Sequence, residues 1–202
     1  VDSGIMRARA AGLHPLTNSK ICYDKGIIRM IQAIVYTSNA GTTEQYAKII
    51  GEKTGFPVYS LKNACGLAAG TEIIYLGWLM AGIVQGYKKA AKLYTIRALC
   101  GVGMGETGSQ IEDIKKANTV SDSMPVFTMR GGFDIKKLHG IYRFMMGVMR
   151  KTAGKKLSEK TDRTPDEDIM LDMMMNGRSY VSEKNAATVL DWLGKEQQNN
   201  II

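Results

Sequence analysis

Residues 31–50 read Ile-Gln-Ala-Ile-Val-Tyr-Thr-Ser-Asn-Ala-Gly-Thr-Thr-Glu-Gln-Tyr-Ala-Lys-Ile-Ile. An apolar run of strand length, a short loop rich in hydroxyls with a glycine, and then apolar residues at helical spacing predict a buried strand turning into a helix. The loop 37–43 brings backbone N–H groups, side-chain hydroxyls and the positive end of a helix dipole to one spot, which is the makings of a phosphate cradle. Gly41 lets the chain turn tightly and lets a ligand approach the backbone. No Lys or Arg lies in the loop. Neutral donors suit a monophosphate whose hydration is replaced by hydrogen bonds. A nucleoside triphosphate would call for the Gly-Lys-Ser/Thr ending of a P-loop, which this segment lacks. The plainer reading is an ordinary βα turn with a Ser or Thr helix cap.

The rest of the chain repeats the alternation. Strands are expected over 31–36, 56–61, 72–77, 93–100 and 125–129, with helices over 43–53, 84–91, 109–117, 135–151 and from 183 onward. Five strands joined by crossover helices predict an α/β fold with a doubly wound parallel sheet of order 2-1-3-4-5. Ligands in such sheets bind beyond the carboxyl ends of the strands where the order reverses, so the loops after strands one, three and four should converge. The second of these is read as Gly77-Trp78-Leu79-Met80-Ala81-Gly82, an apolar loop whose Trp could pack on a flat ring. The third, 101–108, is glycine-rich and contains Gly103-x-Gly105-x-x-Gly108. That spacing matches a dinucleotide fingerprint but follows the wrong strand, and no acidic residue ends the next strand. It is therefore read as backbone left bare to reach a ligand's polar edge.

At 202 residues the chain suits one domain. Residues 1–29 read as an N-terminal extension or tag remnant, with Met30 an alternative start, and the domain proper is 30–202. Cys22, Cys65 and Cys100 are too few and too far apart for a disulfide framework or a zinc site, so they read as reduced thiols of a cytoplasmic protein. No His, Cys or carboxylate cluster has metal-ligand spacing, and no catalytic residue is assigned. The net charge of +8 is local. Residues 130–160 hold nine basic and two acidic side chains, and this concentration argues for one specific surface and against nucleic-acid binding.

About fifty residues, 131–182, are inserted between the fifth strand and the last helix, far more than an ordinary connection needs. Within them, 135–152 has helical periodicity. Ile135, Leu138, Ile141, Tyr142, Phe144, Met145, Met146, Val148 and Met149 fill a broad arc, and cations with two glycines fill the other. Such a helix either packs on its own sheet or, through 135–160, lies on a membrane surface or an apolar partner. The Met-rich stretch Met170, Met173, Met174 and Met175 reads as pliable packing and is compatible with a homodimer.

The segment Ser38-Asn39-Ala40-Gly41-Thr42-Thr43 resembles the flavodoxin phosphate loop, Ser/Thr-x-Thr-Gly-x-Thr. Ser38, Gly41 and Thr43 match; Ala40 departs, so one hydroxyl contact is either missing or supplied by a neighbour such as Thr37 or Thr42. The stretch Arg130-Gly131-Gly132-Phe133-Asp134, then Ile141-Tyr142-Arg143-Phe144-Met145-Met146 and Met149-Arg150-Lys151, is similar to the corresponding region of the menaquinone-dependent protoporphyrinogen oxidases, which carry an insertion at this place. The resemblance spans most of 30–194. It implies a flavodoxin-like fold, an FMN cofactor, and an oxidoreductase passing electrons through the flavin to a membrane quinone from the inner membrane face. The implied cofactor-binding residues are Thr37, Ser38, Asn39, Ala40, Gly41, Thr42 and Thr43, then Gly77, Trp78, Leu79, Met80, Ala81 and Gly82, then Gly101, Val102, Gly103 and Met104. Three other readings stay open: a soluble flavodoxin-type carrier that meets a redox partner protein, an NAD(P)H-dependent FMN reductase, and, given Ala40, a flavin-free interaction module that kept the fold.

Overall fold

The structure, a computed structural model, describes residues 30–132, 138 and 140–199. The expected N-terminal extension and the start of the 135–151 helix lie outside the described residues.

Strands in the middle of the sheet are apolar on both faces because both faces are covered. Side chains alternate between them. From β1 (Ala33–Thr37), β3 (Glu72–Met80) and β5 (Thr95–Gly103), the residues Ile34, Ile74, Leu76, Ala98, Cys100 and Val102 turn to one face. There they meet Tyr46, Ala47 and Ile50 of α1 (Thr42–Thr54) and Ala186, Val189 and Leu193 of α7 (Glu183–Asn199). Ala33, Val35, Ile73, Tyr75 and Leu99 turn to the other face, where α2 (Tyr87–Leu93) brings Tyr87 and Ala90 and α3 (Ile111–Asn118) brings Ile114. The result is an α/β domain with a mostly parallel sheet flanked by helices. Cys100 sits fully buried in this core, and burial pushes its thiol pKa far above the ordinary value.

With β2 (Val58–Ser60) and β6 (Val126–Arg130), the strand order is β2-β1-β3-β5-β6. The sheet has six strands where five in the order 2-1-3-4-5 were expected. The addition is β4 (Ile83–Val84), which folds back antiparallel on β3, pairing Leu79 with Val84 and Met80 with Ile83. Ala81 (φ 48°) and Gly82 (φ 77°) make the turn between them.

This hairpin corrects two expected loops. Gly77, Trp78, Leu79 and Met80 belong to β3, and only Ala81 and Gly82 turn. Gly101, Val102 and Gly103 belong to β5, paired with Gly77 and Trp78 on one side and with Thr128, Met129 and Arg130 on the other. Space explains the glycines. A Cβ on Gly77 would lie 2.7 Å from the Gln85 carbonyl oxygen, and Cβ atoms on Gly101 and Gly103 would come within 3.1 Å of the Leu79 side chain. The helix expected over 84–91 begins three residues later for the same reason, and Leu93 ends α2 rather than opening β5.

The insertion contains α4 (Gly140–Met149), a π-helical turn (Arg150–Gly154), α5 (Lys155–Glu159) and α6 (Pro165–Asn176). The helix expected to end at 151 thus runs on to 159 through the π turn. α6 starts with a capping box: the Glu167 N–H donates to Thr164 Oγ1 at 3.2 Å and the Thr164 N–H donates to Glu167 Oε2 at 2.9 Å. Pro165 occupies the first helical turn, where its missing N–H costs nothing.

Candidate functional site

The carboxyl ends of β1, β3 and β5 meet under the insertion. Between them lies a cavity of about 570 Å³, within the roughly 300–1,000 Å³ of small-molecule and cofactor pockets. Asn39, Ala40 and Thr42 line it from the first loop, and Trp78, Leu79, Met80, Ala81 and Gly82 from the β3–β4 hairpin. Val102, Gly103, Met104, Gly105 and Gln110 line it from the third loop. The roof is Leu138, Tyr142, Met145, Met146 and Met149, with Met170 and Gly132 beside it. None of these side chains is charged, and six are methionines. Such a surface is apolar and able to reshape around a flat guest.

Three of the expected site residues that line no part of the cavity, Ser38, Gly41 and Thr43, form the turn beside it. Gly41 takes a left-handed conformation (φ 92°) that a residue with a Cβ pays for, and it caps α1. Its N–H donates to Ser38 Oγ at 3.1 Å. No side chain caps α1. The N–H groups of its first turn are thereby left to a ligand or solvent. The expected alternative of a side-chain cap is absent. Glu44, the acid of that turn, is drawn along the helix by Lys48 at 2.7 Å.

The hydroxyls divide into used and unused. Tyr75 Oη lies 2.7 Å from Thr37 Oγ1 and 2.8 Å from the Gln85 carbonyl oxygen. One phenolic proton can serve one of them; given to the carbonyl, it leaves Thr37 to donate back. Burial pushes the Tyr75 phenol up to about 12, so it stays neutral. Thr42 Oγ1 donates to the Gly132 carbonyl at 3.2 Å. Of the two expected substitutes for the hydroxyl missing at Ala40, Thr42 thus spends its proton on Gly132, while Thr37 is bonded to Tyr75. Thr43 differs. It is fully buried, and its Oγ1 has no hydrogen-bond partner. An unpaired buried hydroxyl costs about 1–3 kcal/mol, and an anion bound at the first turn of α1 would satisfy it.

Ala40 departs from the phosphate-loop pattern for a visible reason. It packs in a small apolar cluster with Leu138 and Met173, with Tyr142, Met146 and Ile169 around them. Tyr142 also meets Trp78 edge to face, ring centroids 5.2 Å apart and planes at 88°. The roof is tied down at its ends. Arg130 Nη2 donates to Asp166 at 2.6 Å, the Tyr180 N–H donates to the Gly131 carbonyl at 2.7 Å, and Gly132 pairs with Ser179. The Tyr180 hydroxyl donates to Asp172 at 2.6 Å, and that bond, with one from Asn176, holds the Asp172 carboxyl below its ordinary pKa.

Of the expected residues, eleven line the cavity; Thr37, Ser38, Gly41, Thr43, Gly77 and Gly101 do not. None of the roof residues Leu138, Tyr142, Met145, Met146, Met149 and Met170 was among the expected site residues. The arc containing Tyr142, Met146 and Met149 was visible, but its inward target was not. Gln110, in a left-handed conformation (φ 61°) at the start of α3, had no sequence signal.

The cavity, with the bare helix start beside it, would accept a ligand with an anionic tail and a flat apolar body. A scan against protein-family models finds none that matches this chain, and a search of curated proteins finds no match.

Proposed function

We propose that the chain is a flavodoxin-like, FMN-binding oxidoreductase whose insertion roofs a substrate site above the flavin. One observation carries this reading: an uncapped α1 start with a buried, unpartnered Thr43 hydroxyl stands beside an uncharged aromatic and thioether cavity large enough for a cofactor. The parallel path β2-β1-β3-β5-β6 is compatible with the flavodoxin-like order once the short β4 is set aside. The resemblance at 38–43 and 130–151 points the same way.

FMN supplies the electron-transfer chemistry when bound; the chain binds, orients and excludes water. The first-turn N–H groups of α1, Ser38 and Thr43 would hold the phosphate. Trp78, Leu79, Met104 and Tyr142 would border the ring, and the third-loop backbone would face its polar edge. The acceptor in this reading is a quinone or another large conjugated molecule, which the uncharged methionine-rich roof suits. The roof disfavours a plain electron carrier, which must present its flavin edge to a partner protein.

The test is titration of the purified chain with FMN and with riboflavin, followed by flavin fluorescence, and then reoxidation of the reduced holoprotein by a water-soluble naphthoquinone. The expected outcome is FMN binding at least roughly tenfold tighter than riboflavin, the difference being the phosphate contacts, and rapid quinone-dependent reoxidation. An absence of FMN binding at tens of micromolar overturns the reading.

A further inference from the structure

We propose that Asn118 is a positioning residue for the candidate site: from the end of α3 it holds the β3–β4 hairpin in the bend that makes one wall of the cavity. The hairpin supplies Trp78, Leu79, Met80, Ala81 and Gly82 to that wall. Its own ladder is short. β4 has two residues, paired as Leu79 with Val84 and Met80 with Ile83, and one more bond runs from the Gln85 N–H to the Trp78 carbonyl at 3.0 Å. A two-stranded ribbon of that length does not hold its shape alone.

Asn118 completes it. The residue is 3% exposed, and both of its amide protons are used. Oδ1 accepts from the Val84 N–H at 2.9 Å, and Nδ2 donates to the Gly82 carbonyl at 2.9 Å. One amide thus bonds an N–H and a C=O of the hairpin, as the backbone of a neighbouring strand would. The second proton goes to the Ile114 carbonyl at 2.8 Å, one turn back in α3, which fixes the side chain's orientation. A Cβ on Gly82 would lie 3.6 Å from the Ala117 Cβ, so the turn also abuts the helix.

Backbone conformation marks the same unit. Among the described residues, three non-glycines take a positive φ: Ala81 (48°), Gln110 (61°) and Thr119 (55°). Ala81 lies in the hairpin turn, and Gln110 and Thr119 flank α3 at its two ends. Residues with a Cβ keep such angles only where the surroundings over-determine them, and such positions gather at ligand sites. Gln110 lines the same cavity from the third loop. α3 is therefore a strut: one end carries part of the third-loop wall, and the other, through Asn118, sets the hairpin wall. The effect on a ligand rests on the flavin reading; the hairpin's dependence on Asn118 does not.

The test compares Asn118→Leu, which keeps the side chain's size and removes its polar atoms, with Val189→Ala, a core change in α7 on the other face of the sheet. Both lose stability, so the second separates positioning from general loosening. In Asn118→Leu, hydrogen exchange over 78–86 of the ligand-free chain should speed up by more than about tenfold. FMN and riboflavin should both bind about tenfold more weakly, with their ratio unchanged, because the hairpin borders the ring and not the phosphate. In a Trp192→Phe background, acrylamide should quench Trp78 more strongly. Val189→Ala should leave all three readouts at their wild-type values. Unchanged exchange over 78–86 in Asn118→Leu overturns the proposal. So does a loosened hairpin with both flavin affinities intact, a loss confined to FMN, or an equal loss in Val189→Ala. If the wild type binds neither flavin, the functional reading falls, and Trp78 decides the proposal: stronger quenching in Asn118→Leu upholds it and equal quenching overturns it. Should Asn118→Leu fail to fold, Asn118→Asp, which keeps the acceptor for Val84 and loses the donor to Gly82, is read by the same measures.

Discussion

Thr43→Val separates the two consequences of one buried hydroxyl. Thr43 is fully buried on the first turn of α1, and its Oγ1 has no partner. Valine has nearly the same shape and the same branching at Cβ, so the packing survives and only the polar atom goes. An unpaired buried hydroxyl costs about 1–3 kcal/mol, and replacing it by a methyl group recovers part of that. The ligand-free protein should therefore gain about 1 kcal/mol, which for a domain of this size raises Tm by roughly 2–4 °C. Affinity for FMN should move the other way. A hydrogen bond to a charged phosphate contributes about 1.5–3 kcal/mol, so the variant should bind FMN roughly 10- to 150-fold more weakly. Riboflavin, which has no phosphate, should bind the two proteins alike. Differential scanning fluorimetry without ligand and flavin-fluorescence titrations read both effects on one preparation. Unchanged FMN affinity would show that Thr43 does not face the phosphate. A fall in ligand-free stability would show that the hydroxyl is already paired, and either result refutes the reasoning.

Two further outcomes concern the roof. Arg130→Met removes the bond to Asp166 while keeping most of the apolar stem; with Asp166 half exposed, the loss should be about 1–2 kcal/mol, seen as faster hydrogen exchange over 140–176 with the sheet unaffected, and equal protection in the two proteins would sink the idea. Acid should loosen the same region first: Lys160 holds the Glu167 carboxyl below its ordinary 4.5, and Tyr180 holds Asp172 below its ordinary 3.8. Both groups have depressed folded-state values, so their stabilisation is present above those ordinary values and is lost as pH falls through the folded ones. Hydrogen exchange at pH 6 and pH 3.5 should show the loss in α6, and Glu167→Gln should flatten it.

How much of this was readable from the chain varies by element. The apolar runs and helical stripes were enough for the α/β alternation and the parallel sheet, because strand and helix periodicities are local properties. The bare start of α1 was also visible in Ser38, Gly41 and Thr43, since a turn's needs are written in the residues that make it. The capping box of α6, Thr164-Pro165-Asp166-Glu167, was equally present in the letters and was overlooked. Whether Gly77 to Met80 are loop or strand was not readable. That depends on Val102 alongside Trp78 and on Ile83 and Val84 folding back, contacts that exist only after the chain has closed on itself.

The sequence by itself determined the kind of sheet, the place of the glycine turn that opens α1 and the amphipathic character of 140–149. Only the tertiary structure decided that one stripe of α4 covers the cavity while another stays exposed, that Ala40 sits beneath Leu138 and Met173, and that Thr37 and Thr42 are engaged while Thr43 is not. The physical reason is that hydrophobic spacing says which side of an element avoids water, and hydroxyl chemistry says what a side chain can bond. Neither says which neighbour arrives, because those neighbours lie far along the chain, ninety residues away for Thr42 and Gly132 and farther for Ala40 and Met173.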